Sequence, residues 1–417
     1  MSTNPNSLAG RTLDRADARV RQDEGLGGAL RGFLDRVRSG DLGMIPVAVG
    51  LVLISLIFTS LNPVFIRPGN ISNLLYDCAT TGIISLGIVC VLILGEIDLS
   101  VGSMSGLASA ILGVLWINNG WPAGGAILVA LGLGAAIGAL YATLHNRVGM
   151  PSFVATLAGL LALLGFQLYL LGRAGSINLP FSLALVRFGQ NAYMPNALSF
   201  VLALVPGAVV LLSGLRARTR RQAAGLSGTS LSVIVVKALV LTLVLVGVVS
   251  YLAQGRGVPW MFALFVLLVV AMDYAFRRTK WGRSMFAVGG NREAARRAGI
   301  DVRRIYLSAF VLCSTLAALG GILSAARLGS ASQQAGSGDV NLNAIAAAVI
   351  GGTSLFGGRG SAYSALLGII VIQAISNGLT LLNLSSSLRY MILGGVLALA
   401  VMVDSLARRS RASHGRG

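Results

Sequence analysis

Glu96 and Asp98 are the residues of this chain best suited to chemistry at membrane depth. They stand two apart in Gly95-Glu96-Ile97-Asp98-Leu99-Ser100-Val101-Gly102-Ser103, and from Asp77 to Leu140 the rest is mostly apolar or small. A charged side chain at a bilayer centre costs about 2.5–3.5 kcal/mol on insertion scales, so it persists when paired or turned toward a polar cavity. Gly95, Gly102 and Gly106 let the backbone turn and pack closely. The stretch reads as a break between two hydrophobic segments that borders a translocation path. Two such carboxylates also suit ion carriage, so an ion-coupled secondary transporter using Glu96 and Asp98 is the alternative function.

Other chemistry is excluded by residue type and spacing. The two lysines, Lys237 and Lys280, neither follow glycine nor precede serine or threonine, so no phosphate loop is present. Cys78, Cys90 and Cys313 all fall in apolar stretches and act as small hydrophobes. His145 lies in a short loop and His414 in the tail, and no metal spacing is seen. No nucleophile set has the spacing of an enzyme. Neither a cofactor nor catalysis is expected.

The elements that position Glu96 and Asp98 follow from composition. Hydrophobic residues are 55% of the chain and charged residues 11%, where soluble domains carry about 25% charged. Apolar runs long enough to cross a hydrocarbon core of about 30 Å recur throughout. They fall near 44–61, 75–95, 101–117, 123–144, 152–172, 197–214, 231–252, 258–276, 304–327, 341–356, 363–382 and 387–404. The fold class is therefore all-α, a polytopic transmembrane bundle of ten to twelve spans. The turns near 95–102 and 357–361 are candidates for re-entrant breaks, which a bilayer permits where backbone lines a cavity or is buried in protein.

The net charge of +19 points to membrane topology rather than to nucleic acid. With the N-terminus in the cytoplasm, Arg147, the arginines at 216–221, nine cations between Arg277 and Arg304, and the C-terminal arginines all fall on the inside. Residues 1–43, with seven arginines and six acids, form a polar tail with an electrostatic grip on anionic lipid. No short apolar core with a cleavage site follows the charges, so it is not read as a secretory signal. Residues 44–404 form the membrane domain and 405–417 a second cytoplasmic tail. Lys237 and Asp273 reach for the interface.

Two further stretches carry signals. In Arg277–Arg304, Asn291 is a candidate N-cap, Glu293 suits a first turn and Gly299 a helix end, giving a short helix able to enter a groove on another protein. From Ala344 to Ser361, Gly351, Gly352, Gly357, Gly358 and Gly360 would break a helix inside the membrane, as in transporters whose broken helices build a site.

Taken in order, Gly95–Ser103, Gly289–Ile300, Gly351–Ser361 and Asn377-Gly378-Leu379 resemble the permease subunits of bacterial ABC sugar importers, the ribose and xylose permease group, over roughly 44–404. Glu96 stands where most of that group has a second glycine, and the region 190–257 holds two added spans. Both are similar to the xylose branch. Asn341 and Asn343 stand where similar permeases often carry acids, with Asp339 one turn away.

The resemblance implies a homodimer in the inner membrane, a cytoplasmic ABC ATPase as partner, and a periplasmic or extracellular sugar-binding protein that delivers xylose or another monosaccharide. It implies that Asn291, Glu293, Ala294, Ala295 and Gly299 form the coupling helix that docks on the ATPase. Sugar hydroxyls need hydrogen-bonding partners, so Glu96, Asp98, Ser100, Thr353 and Asn377 are the expected path residues.

Overall fold

The computed structural model describes residues 45–413 together with Gly27 and Gly28. Apart from those two glycines, the tail expected over 1–43 lies outside the described residues, as does the end of the chain from His414. Within them, nine helices are long and apolar enough to cross a membrane. Intrasegment hydrogen bonding is the reason: in hydrocarbon a helix is one of the few ways to satisfy every backbone N–H and C=O.

The chain divides into two compact units. One contains Met194–Gly257 and the other Gly43–Tyr193 with Val258–Gly417. In the larger unit the helices are, in order, α1 (Ile45–Leu61), α2 (Pro68–Ile93), α3 (Val101–Gly113), α4 (Ala123–Thr143), α5 (Ser152–Leu171) and α6 (Ala184–Gln190). The smaller unit holds α7 (Asn196–Ala223) and α8 (Leu231–Ala253). The larger unit resumes with α9 (Trp260–Arg278), α10 (Lys280–Gly290), α11 (Arg292–Arg297), α12 (Val302–Leu328), α13 (Val340–Ile350), α14 (Ala362–Leu381) and α15 (Ser386–Ser413). Strand β1 (Ser176–Asn178) pairs antiparallel with β2 (Ser330–Ser332), Ile177 opposite Ala331. The last helix runs unbroken to Ser413, so no structural boundary separates the tail expected at 405 from the span before it; its Ala-Arg-Arg run favours helix.

In the larger unit the core is built on α2 and α12. Their most apolar windows are 89% and 72% buried, against 28% for α4 and α5, which expose apolar faces suited to lipid. α12 packs on α2, α3 and α4, and α14 lies between α13 and α2. In the smaller unit α7 and α8 pack closely where Gly207 faces Thr242 and Gly214 faces Ile234. Arg218 and Arg221 of α7 bond the carbonyls of Thr229 and Ser227, tying down the connection.

α13 is only 11 residues long, about 16 Å at 1.5 Å per residue. It does not span a bilayer. The chain between β2 and α13 is non-helical, and it lies along α3 where that helix has no side chains. Ala331 faces Gly113, the Ala335 carbonyl faces Gly106 and the Gly336 carbonyl faces Gly102. A Cβ at Gly106 would stand 2.2 Å from the Ala335 oxygen. The glycines of α3 thus form a groove that seats a segment of irregular backbone, of which Gln334, Ser337 and Gly338 stay exposed.

Candidate functional site

Gly95 ends α2 in the left-handed region at φ +79. Its N–H bonds the Leu92 carbonyl at 2.9 Å, and the Glu96 N–H bonds the Val91 carbonyl at 3.1 Å. The Ile93 carbonyl is taken by Gly358 N–H at 2.9 Å, so the glycine-rich turn at 351–361 closes the end of α2. Gly357 and Gly289 both approach this same corner. Three stretches singled out in the sequence therefore meet at one end of the larger unit, the end that also carries Arg277–Arg304.

The structure separates the two carboxylates. Asp98 is fully buried and turns back on its own turn: its Oδ1 accepts from Ser100 N–H at 2.8 Å and from Ser100 Oγ at 2.7 Å. Oδ2 has no hydrogen-bond partner. The Leu99 N–H donates to Thr156 Oγ1 at 3.1 Å, fastening the turn to α5. Asp98 and Ser100 so act together as the link from the break into α3. Glu96 points elsewhere. Ser152 Oγ donates to its Oε2, and His145 Nε2 lies 3.7 Å from its Oε1. A cavity of about 330 Å³ opens here, lined by Gly95, Glu96, Ile97, His145, Pro151, Ser152 and Phe153.

The remaining expected path residues do not join this cavity. Thr353 is 1% exposed beside Gly360, with its Oγ1 unpartnered. Asn377, fifteen residues along α14 from its start at Ala362, exchanges side-chain hydrogen bonds of 2.8 and 3.2 Å with Asn70 at the opposite end of α2. Glu96 alone of the five lines the open space. Asp273 pairs with the exposed Arg277 one turn along its own helix at 2.8 Å and accepts from the Ser361 hydroxyl at the start of α14 at 3.5 Å.

In the basic segment Asn291 caps α11 through Ala294 N–H at 2.9 Å, and Glu293 pairs with Arg296 at 2.9 Å. Asn291, Glu293, Ala294 and Gly299 are exposed. Ala295 is 4% exposed and faces inward, so it anchors the helix and is not available to dock. Trp281 of α10 stacks on Phe276 and donates to Ser308 Oγ at 2.7 Å. A helix of six residues is not stable alone, and these contacts hold the segment on α12.

Sequence reasoning missed Gln167 and the task of Asn341. Gln167 is fully buried, and its Nε2 donates to the Ser332 and Ala335 carbonyls, each at 2.9 Å. Asn341 Oδ1 accepts from the Gly102 N–H at the start of α3. Asn343 donates to Asp339 at 2.9 Å within the first turn of α13. The available signal was a lone amide inside the apolar run 152–172. An acceptor is what position 341 needs, and a carboxylate beside a helix N-terminus would serve as well. Asn341→Leu is expected to cost about 1–3 kcal/mol by orphaning a buried N–H, whereas Asn341→Asp remains near wild type. Thermal melting in detergent distinguishes them, and equal losses would refute the capping role.

Among the described residues no group of three or more His, Cys, Asp or Glu side chains is placed to hold a metal ion.

A half-length helix, a non-helical segment seated on the glycines of α3 and polar breaks at one end of the bundle are features found in transport proteins. The chain belongs to the family described as branched-chain amino acid transport system / permease component, which matches residues 70–401. That makes it a transport component and not an enzyme. It is 36% identical over 383 residues to the xylose transport system permease protein XylH of Escherichia coli (strain K12), covering 91% of this chain and 95% of that one. It is 33% identical to XylH of Haemophilus influenzae, covering 89% and 98%. It is 30% identical to the ribose import permease protein RbsC of Escherichia coli (strain K12), covering 85% and 91%. No solved structure matches.

Proposed function

We propose that this chain is the permease of an ABC importer for a monosaccharide, with xylose as cargo, in the bacterial inner membrane. The observation that carries the reading is likeness to a xylose permease over nine tenths of both chains. The buried polar break and the exposed, capped α11 support it, the first as a gap in the hydrophobic bundle and the second as a surface for a partner. A cytoplasmic ATPase hydrolyses ATP, a sugar-binding protein delivers the cargo, and two copies of the permease form the pathway. Both termini are cytoplasmic, on the side of the basic segment. Glu96 at its cavity is the residue assigned to meet sugar hydroxyls. Asp98, Ser100 and Thr353 shape the break, and Asn377 braces α14 against α2.

The test is reconstitution of the purified chain in liposomes, with and without the partner ATPase and binding protein, following labelled xylose. Uptake that needs ATP and both partners supports the reading. Uptake by the chain alone on an ion gradient overturns it in favour of the secondary transporter, and ATPase stimulation by a different sugar removes xylose only.

Asp98→Asn separates capping from ion carriage. Asparagine keeps an acceptor for both Ser100 donors and removes the charge, so uptake should persist. Asp98→Ala leaves two buried donors unpaired, at about 1–3 kcal/mol each, and should lower thermal stability. Loss of uptake in Asp98→Asn with an intact fold would instead mean that the charge itself is used.

A further inference from the structure

Glu96 is not isolated from the basic segment. His145 lies in the π-helical turn Leu144–Val148 that ends α4, a geometry found mostly as short interruptions of helices and often at functional sites. Its Nδ1 is 3.2 Å from the Met150 carbonyl, and its Nε2 faces Glu96 at 3.7 Å. The imidazole stacks on the Tyr306 ring of α12, centroids 4.6 Å apart and 19° from parallel. The guanidinium of Arg292, first residue of α11, stands 5.1 Å from the centroid of that same ring. Tyr306 is 3% exposed, and its phenol lies in the fields of both Glu96 and Arg292. An unbroken file of contacts thus runs from α11 through Tyr306 and His145 to Glu96, with Ser152 beyond it. Nε2 is buried without a hydrogen bond, an exception among buried polar atoms that calls for a reason beyond packing. An apolar ring would fill the same space without that cost.

We propose that His145 is a positioning residue of the transport cycle: its ring, seated on Tyr306 and facing Glu96, passes displacement of α11 to the Gly95–Ser100 turn and to the cavity there. The inference rests on the reading of α11 as the ATPase-docking helix. Coupling needs an element both sites bias, and this file supplies the contacts by which a shift of Arg292 alters the seat of His145 and the contact with Glu96. The charged and titratable groups that face the imidazole are Glu96 from the break and Tyr306 from α12, with Arg292 across the phenol and Arg147 on its own turn.

The experiment uses the full complex in proteoliposomes and reads xylose taken up per ATP hydrolysed. His145→Phe keeps an aromatic ring on Tyr306 and removes the nitrogen facing Glu96; Tyr306→Leu removes the seat; Tyr306→Phe retains it. For His145→Phe and Tyr306→Leu the ratio should fall about tenfold, within the range common to coupled sites, through maximal uptake and not through the apparent KM for sugar. Tyr306→Phe should hold the ratio within about twofold. Adding Tyr306→Leu to His145→Phe should lower the ratio little further, as expected for residues acting in series. Thermal melting of each variant checks the fold. A parallel fall of uptake and hydrolysis, or an unchanged ratio in His145→Phe, overturns the relay while wild-type ATP-driven uptake leaves the permease reading standing. Absence of ATP-driven uptake by the wild-type complex overturns that reading and the relay with it.

Discussion

Gly106→Leu is expected to abolish the folded protein. A Cβ at this position meets the Ala335 carbonyl oxygen at 2.2 Å and Gln167 Oε1 at 2.3 Å. One neighbour is backbone and the other is the amide that holds that backbone, so neither can yield cheaply. Overpacking of a close-packed interior costs about 1–3 kcal/mol for added methylenes alone. Here the displaced segment also loses the bonds from Gln167 to Ser332 and Ala335, at about 1–3 kcal/mol for each buried group left unpaired. The sum approaches the about 5–15 kcal/mol that stabilises an ordinary native domain. Gly132→Leu is the control, because nothing lies within 4 Å of a Cβ there. Size-exclusion profiles and melting curves in detergent should show an aggregated Gly106→Leu and a wild-type-like Gly132→Leu. Equal behaviour of the two would refute the groove.

Glu293→Lys should have the opposite character, a small effect on the fold and a large one on transport. Glu293 is exposed and, among the described residues, pairs only with Arg296 on its own helix, an interaction of about 0.3–0.5 kcal/mol at a surface. Reversing its sign in the first turn of α11 adds about 0.3–1 kcal/mol of unfavourable interaction with the helix dipole. The tertiary contacts at Ala295 and Trp281 are untouched. Across a docked interface a like-charge contact costs several kcal/mol, and each 1.4 kcal/mol is about tenfold in affinity. ATP-driven uptake with the partner ATPase should therefore drop by about tenfold or more, with the melting temperature little changed. Uptake at the wild-type level would show that α11 does not dock through this face.

The amino-acid sequence by itself determined the class of fold and most of its parts. Long apolar runs interrupted by glycine and charge dictate helices, because hydrocarbon offers the backbone no other partner. The cap at Asn291, the end of α11 at Gly299 and the helix break at Gly351 were likewise readable, since each depends on residues a few positions apart. Glu96 and Asp98 were visible as anomalies in an apolar stretch.

Their division of labour was decided only in three dimensions. Two carboxylates two residues apart have the same local signature, yet Asp98 folds back on Ser100 and Glu96 turns to Ser152 and His145. The separation of Asn377 from the break, the inward face of Ala295 and the Ser361 hydroxyl beside Asp273 depend on which helices pack together. So does the placement of irregular backbone in the α3 groove. The physical reason is that local pattern registers hydrogen bonding and hydrophobicity along the chain. Gly102 with Asn341, Gln167 with Ala335 and His145 with Tyr306 are pairs more than 150 residues apart, and no spacing rule reports them.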